Sequence, residues 1–204
     1  FFSVGNGGME TVSACWEAKR HYDTGRPYWG VRVKYADKMV DAWAGPGQGV
    51  RKIPGQQFQP YSPIQFPTPP FPGYPSGHAT ASGAAARALE LFTGSDRYGA
   101  VIIQEAGAVT EKDYTAAQMQ AVDGELANVA SKEVRLFMPS FTKTAEMAAE
   151  SRLWGGYHIR ADNEEGLILG RKVAAFSWPK YQAYFDGTAK PVTSLPSGSS
   201  DSAN

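Results

Sequence analysis

Pro75-Ser76-Gly77-His78-Ala79-Thr80, running on through Ala84-Ala85-Ala86 to Gly94, is the stretch from which the rest of this chain is read. Ser76 stands where a side-chain oxygen can cap a helix, and Ala84, Ala85, Ala86, Ala88, Leu89, Leu91 and Phe92 sustain one until Gly94 ends it. The spacing predicts a helix over 77–93. Its small residues Ala79, Ser82, Gly83 and Ala86 lie three to four apart, so another helix can approach closely. At the helix start, Gly77 lets the backbone come near a ligand and the first-turn amides point outward. With the Ser76 hydroxyl and the titratable ring of His78 at the same place, the turn suits an oxyanion that changes protonation state. The same residues also fit a plain capped helix carrying an ordinary histidine.

Upstream, nine prolines fall between Pro46 and Pro75, a composition no long helix or central strand tolerates. Phe58, Tyr61, Ile64, Phe66, Phe71 and Tyr74 are too many large apolar groups for a solvated tether. The segment reads as an ordered wall that packs over the core and delivers the Ser76 turn. Further back, residues 9–23 carry a helical period with Val12, Cys15, Trp16 and Lys19 near one face, and Gly25 before Arg26-Pro27 reads as a stop. Lys19 and Arg26 are seven apart, two turns if that helix persists, and could present two cations to one place. A solvated lysine and a helix-end arginine would look the same. Val31–Ala44 takes no assignment.

Downstream, Val101-Ile102-Ile103 suggests a short strand in an otherwise ambiguous 97–114. Asp123–Met138 reads as a helix with Leu126, Val129, Ala130, Glu133, Val134 and Phe137 on its stripe, stopped before Pro139. Thr142–Leu153 and Ile159–Phe176 follow as helices, and the Ser/Gly/Pro-rich tail from Lys190 reads as disordered. The expected organisation is a helical domain over 1–189 and a tail over 190–204. With 204 residues, 42% apolar and formally neutral, the chain can bury a real core and carries no nucleic-acid footprint. Its single cysteine excludes an internal disulfide and a Cys-based zinc site, and three histidines leave little for a His-rich one. No apolar run is long enough to span a bilayer, so a soluble chain without membrane insertion is expected. It opens on Phe1-Phe2-Ser-Val without an initiator methionine, which suggests the C-terminal piece of a longer polypeptide.

A second constellation is Ser151-Arg152-Leu-Trp-Gly-Gly-Tyr-His158-Ile-Arg-Ala-Asp162. The Arg152 guanidinium fork suits a set of oxygens, and two glycines open space beside it. His158 and Asp162 are four apart. If the segment is helical they share a face, and the carboxylate would accept from Nδ1 and leave Nε2 free as nucleophile or ligand. A surface His–Asp pair is the plainer alternative.

Lys19-x6-Arg26-Pro27, Pro75-Ser76-Gly77-His78 and Ser151-Arg152-x5-His158-x3-Asp162 occur in order and complete. Together they resemble the superfamily of vanadium-dependent haloperoxidases and type 2 phosphatidic acid phosphatases, over Thr11–Arg32, Thr68–Gly94 and Ser151–Ala175. Phe71-Pro-Gly-Tyr74 and the glycines flanking His158 are similar to the soluble haloperoxidase branch. The resemblance implies an all-α helical bundle with a long ordered Pro-rich loop and a vanadate cofactor whose site phosphate can also occupy; the compartment stays open, with analogy favouring a secreted or periplasmic one. It implies oxidation of halide by hydrogen peroxide to hypohalous acid, bromide first and chloride second, with a small organic acceptor.

Residue by residue, the resemblance makes Lys19, Arg26 and Arg152 the cationic partners of the oxyanion, and Ser76 and the Gly77 amide its neutral donors. By that resemblance His158 would be the vanadium ligand, Asp162 its orienting partner and His78 the acid–base residue. It also has Lys19 polarise the activated peroxide. Trp16 and Phe71 resemble the aromatic pair of chloroperoxidase-type sites. Haloperoxidases of this kind are longer, with a further bundle before the lysine motif, so a companion N-terminal fragment or a second subunit is expected. The alternatives are an acid phosphatase using a phosphohistidine at His158, and a non-catalytic assembly protein that keeps the fold.

Overall fold

The computed structural model describes residues 2–45, 48–61, 67–105, 121–122, 125–126 and 133–190, with backbone alone at 121–122 and 125–126. Five α-helices dominate: α1 (Phe2–Tyr22), α2 (Pro27–Lys34), α3 (Gly77–Thr93), α4 (Phe141–Trp154) and α5 (Arg160–Phe185). The expected helical bundle is what forms, with three small two-stranded ribbons added to it. Among the described residues no helix is long and apolar enough to cross a membrane.

Helix α3 is the centre of the bundle, packed on α1, α4 and α5. Its start is capped by Ser76, whose side chain accepts from the Ala79 amide, and its end is Gly94 in the left-handed conformation at φ 71°. The core is made of small side chains, Ala79, Ala86, Ala145 and Ala149 with Leu167, and Phe141 packs on it. Small residues allow backbones to touch. A Cβ on Gly83 would sit 2.7 Å from the Leu167 carbonyl oxygen, and one on Gly170 would sit 2.0 Å from that of Thr80. Helix α4 is capped by Ser140, which accepts from the Lys143 amide, while the Asp96 carboxylate accepts from the Thr142 amide.

The segment left unassigned at Val31–Ala44 holds the end of α2 and strand β1 (Met39–Trp43), which pairs antiparallel with β2 (Val50–Pro54). The Pro-rich stretch continues through a 3-10 turn at Gly55–Gln57. Pro60 then lies against Gly156, where a Cβ would meet it at 3.0 Å. Ile64 and Phe66 fall outside the described residues, as do 106–114 and the tail beyond Lys190.

The helix expected over Asp123–Met138 is overturned. Strand β6 (Val134–Ser140) pairs antiparallel with β3 (Arg97–Gln104), and residues 125–126 form a short strand β5 against β4 at 121–122. Val129 and Ala130 lie outside the described residues. The spacing of Val134 and Phe137 suits a helical stripe as well as a strand, but Val101-Ile102-Ile103 supplies a β-branched partner for extended backbone. Pro139, read as a helix stop, sits inside β6 near a bulge at Tyr98-Gly99, where Gly99 takes φ 72° and no ladder amide is demanded of it.

Candidate oxyanion site

The starts of α3 and α5 meet. The Ser76 amide donates to the Asp162 carbonyl at 2.8 Å, so the cap of one helix is tied to the first turn of the other. Ser76 is fully buried, and its hydroxyl, used as acceptor by Ala79, retains a proton to donate. The Gly77 and His78 amides, in the first turn of α3, have no backbone acceptor among the described residues. A side chain at Gly77 would meet the Trp16 ring at 3.3 Å and Lys19 Cε at 4.0 Å, so glycine keeps this approach open.

His158 lies just before α5, buried, and Asp162 in the first turn accepts from His158 Nδ1 at 3.0 Å and from the Ile159 amide at 3.2 Å. Arg26 Nη1 stands 3.0 Å from His158 Nε2. A guanidinium can only donate, so Nε2 holds the lone pair and Nδ1 the proton. Burial lowers the His158 pKa; the Asp162 hydrogen bond opposes that, and Arg26 and Lys19 add to it. The ring is neutral at pH 7, with its free base pointed at the cations.

Lys19 and Arg26 do not share a helix, so the two-turn relation that a longer helix would have given them does not apply. Helix α1 ends at Tyr22, Asp23 takes φ 43°, and Arg26 caps α2, so a turn brings the guanidinium round. Lys19, 1% exposed, donates to the Pro72 and Gly73 carbonyls at 2.7 and 3.1 Å. Arg26 donates from Nε to the Phe71 carbonyl at 3.0 Å and from Nη1 to that of Tyr157 at 3.1 Å. The Pro-rich wall thus holds both cations by its backbone. Arg152 stacks on Tyr157 with its guanidinium carbon 4.1 Å from the ring centroid, and its buried Nε has no hydrogen-bond partner among the described residues. Trp16 and Phe71 pack at 5.3 Å between centroids, with Lys19 Nζ 5.6 and 5.3 Å from the two rings.

His78 is exposed at the rim. Its pKa is lowered by partial burial first and then by the positive charges of Arg152, Arg26 and Lys19. Burial likewise lowers Arg26, with Asp162 opposing and Arg152 adding to the effect. All seven residues expected from the sequence, Lys19, Arg26, Ser76, Gly77, His78, Arg152 and His158, therefore converge, with Asp162 behind the ring and Trp16 and Phe71 beside the amine.

Sequence reasoning missed the carbonyl acceptors at Phe71, Pro72 and Gly73, since every residue has a carbonyl and no residue type marks the ones that matter. It also missed Tyr157, whose signal was available as an aromatic directly before His158 and five after Arg152.

Lys19 is pushed down to about 8, chiefly by burial; Cys15 and Asp162 oppose this and Arg26 contributes to it. Below that pH the amine is charged and suited to an anion; above it the charge is lost. Sulfate keeps a constant charge over this range. Its affinity should fall as pH rises through about 8, by up to about tenfold per unit for one proton, and Lys19→Arg should flatten the fall. Calorimetric titration checks this, and a wild-type affinity independent of pH up to about 10 would overturn the assignment of Lys19 as an anion-holding group.

The model of the VCPO second helical-bundle domain matches residues 1–187. A holo-type bacterial vanadium-dependent chloroperoxidase superposes with a TM-score of 0.73 at 23% identity, covering 89% of this chain and 35% of that one. The apo-type structure gives 0.75, 23%, 91% and 36%. At this identity the likeness is one of fold, and this chain spans about a third of the length of those structures. No curated protein matches the chain.

Proposed function

The chain belongs to the family of the VCPO second helical-bundle domain, and on that footing we propose that it carries the vanadate-binding centre of a haloperoxidase that oxidises halide with hydrogen peroxide to hypohalous acid. One observation carries the reading. Buried Lys19 and Arg26 and half-buried Arg152 converge with a neutral imidazole nitrogen, and the carboxylate among them is Asp162, already engaged with His158. Two uncompensated positive charges at a buried point are costly alone and call for an anionic ligand. A tetrahedral or trigonal oxyanion answers the rest of the donor set: the orphaned Arg152 Nε, the Ser76 hydroxyl and the α3 amides.

In this reading His158 Nε2 would hold the vanadium, and Asp162 keeps the proton on Nδ1 so that Nε2 stays basic. Lys19, Arg26 and Arg152 offset the charge of the oxygens. Bound vanadate supplies Lewis acidity that activates peroxide toward a halide nucleophile. His78 at the rim takes and returns a proton through a ring nitrogen, its lowered pKa keeping it a base at neutral pH. The Lys19 ammonium would hold positive charge beside the group's oxygens, and Trp16 and Phe71, packed on each other beside that amine, would line the halide's approach. Residues 1–189 form the catalytic helical domain. Exposed Phe2, Met9 and Val12 on α1 and Phe176, Tyr184 and Phe185 on α5 support a companion surface, from a preceding bundle or a second copy.

Bromination of a phenol dye with peroxide and bromide, with and without added vanadate, tests this beside nitrophenyl phosphate hydrolysis. Vanadate-dependent halogenation with negligible phosphatase turnover is expected; the reverse overturns the reading in favour of a phosphatase, and silence in both in favour of an assembly protein. Vanadate at about a hundred times its Kd should also raise the Tm by roughly 5–10 °C.

A further inference from the structure

A cleft of about 640 Å³ opens between the start of α2 and the Pro-rich wall, within the usual range for a small-molecule site. Resting on the haloperoxidase reading, we infer that this cleft binds the organic acceptor, a neutral phenol, and that the halogen is delivered to the ring there.

The cleft touches the oxyanion site through two shared residues. Arg26 and Phe71 line it. The same Arg26 donates to the Phe71 carbonyl and stands 3.0 Å from His158 Nε2. An acceptor in the cleft is thus one side chain away from the reacting centre. Its remaining walls are aromatic and proline faces: Trp29 and Tyr28 on one side, Pro60, Pro69 and Pro70 on the other. Trp29 is 63% exposed and packs on Tyr28 with ring centroids 5.5 Å and planes 77° apart, so most of its indole surface is open to a ligand. Flat apolar walls favour a flat apolar ligand.

Asp23 selects among such ligands. It ends α1 at φ 43°, its amide donating to the Lys19 carbonyl, and it lines both this cleft and a smaller one beside Trp16 and Lys19. Its carboxylate makes no ion pair or side-chain hydrogen bond among the described residues. An acceptor-only group recognises a hydroxyl and repels carboxylates. A phenolic O–H donated to it also pushes electron density into the ring, which is what electrophilic halogenation requires.

The chemistry balances. Peroxide, halide and one proton give hypohalous acid and water. The ring carbon then forms a bond to halogen as the O–X bond breaks; it is oxidised while the halogen is reduced to the halide level. The displaced ring proton and the released hydroxide leave as water.

Fluorine NMR titration of the purified protein with para-fluorophenol and para-fluoroanisole reads the cleft without vanadate. Trp29→Ala, at an exposed position, should weaken both ligands about tenfold. Asp23→Asn keeps a residue that tolerates positive φ and should weaken the phenol several-fold, leaving the anisole unchanged. With vanadate, peroxide and bromide, the ortho-to-para ratio of brominated phenol should differ from that of free hypobromite and revert to it in Trp29→Ala. Bromination with the free-hypobromite ratio in the wild type, or binding unmoved by Trp29→Ala, overturns the cleft inference while the haloperoxidase reading stands. Phenol binding lost in Trp29→Ala without any vanadate-dependent bromination overturns the haloperoxidase reading instead and leaves the phenol cleft standing.

Discussion

Replacing His158 by alanine is expected to lower vanadate affinity by about a hundredfold or more and to take halogenation down with it. Two losses compound. The first is Nε2 itself, the neutral nitrogen among the cations. The second is electrostatic: Asp162 loses the Nδ1 donor at 3.0 Å and keeps only the Ile159 amide. Arg26, which holds its Nη1 against the ring and already feels the Asp162 charge, then faces a carboxylate that has lost its ring partner. If the two pair, the positive field that attracts the oxyanion falls by a further unit. Asp162→Asn separates the terms. An amide can donate to Nδ1 and so move the ring proton to Nε2, where it faces Arg26; a drop of about ten- to a hundredfold is expected with the imidazole still present. Vanadium NMR or calorimetry reads both affinities, with circular dichroism to show that each variant is folded. A folded His158→Ala that binds vanadate as the wild type does would remove His158 from the ligand set.

How much of this was legible in the sequence depends on how local each signal is. Ser76 before an alanine-rich run and Gly94 after it are cap residues acting within one turn, and α3 has those bounds. Helices α4 and α5 carry their period in their own residues, although α5 runs on through Pro179 to Phe185, beyond the Phe176 at which the sequence period ends. Strand β6 is not legible in its own residues because what decides its conformation is a partner about thirty to forty residues earlier. Val134 to Met138 have an apolar spacing compatible with either state, and pairing with Ala100 to Gln104 is what tips it.

The site shows the same division. The residue types at Lys19, Arg26, Ser76, His78, Arg152 and His158 are visible in order, and the resemblance supplied a role for each. What holds them was not visible. Lys19 and Arg26 are positioned by carbonyls of Phe71, Pro72, Gly73 and Tyr157, atoms that no side-chain pattern encodes. The route by which Lys19 and Arg26 reach one place is hidden for a related reason. A left-handed residue at Asp23 ends α1 and redirects the chain, and Asp is only a mild signal for that conformation.

The largest stability effect is expected from the smallest change, Gly170→Ala. A methyl group there would lie 2.0 Å from the Thr80 carbonyl oxygen, 2.8 Å from the Ala84 nitrogen and 2.9 Å from the Thr80 carbonyl carbon. All three are backbone atoms of α3. No side chain can rotate away, so the two helices must separate. Alanine also gains helix propensity over glycine, worth up to about 1 kcal/mol. Overpacking of a close helix contact costs about 1–3 kcal/mol and more where the neighbour is rigid. The clash should win, with a net loss of about 3 kcal/mol and a Tm lowered by roughly 6–12 °C. Gly8→Ala is the matched control, because a Cβ on Gly8 in α1 meets nothing within 4 Å; it should be neutral or stabilising by up to about 1 kcal/mol. The pair also reaches the chemistry. Helices α3 and α5 hold Ser76-Gly77-His78 and His158-Asp162 in one place through their contact, and the Ser76 amide to Asp162 carbonyl bond at 2.8 Å closes it. Sulfate binding should therefore weaken in folded Gly170→Ala at low temperature and stay unchanged in Gly8→Ala. Equal binding in both, with the stability loss seen only at Gly170, would mean that the oxyanion donors are positioned by their own loops and not by the packing of α3 against α5.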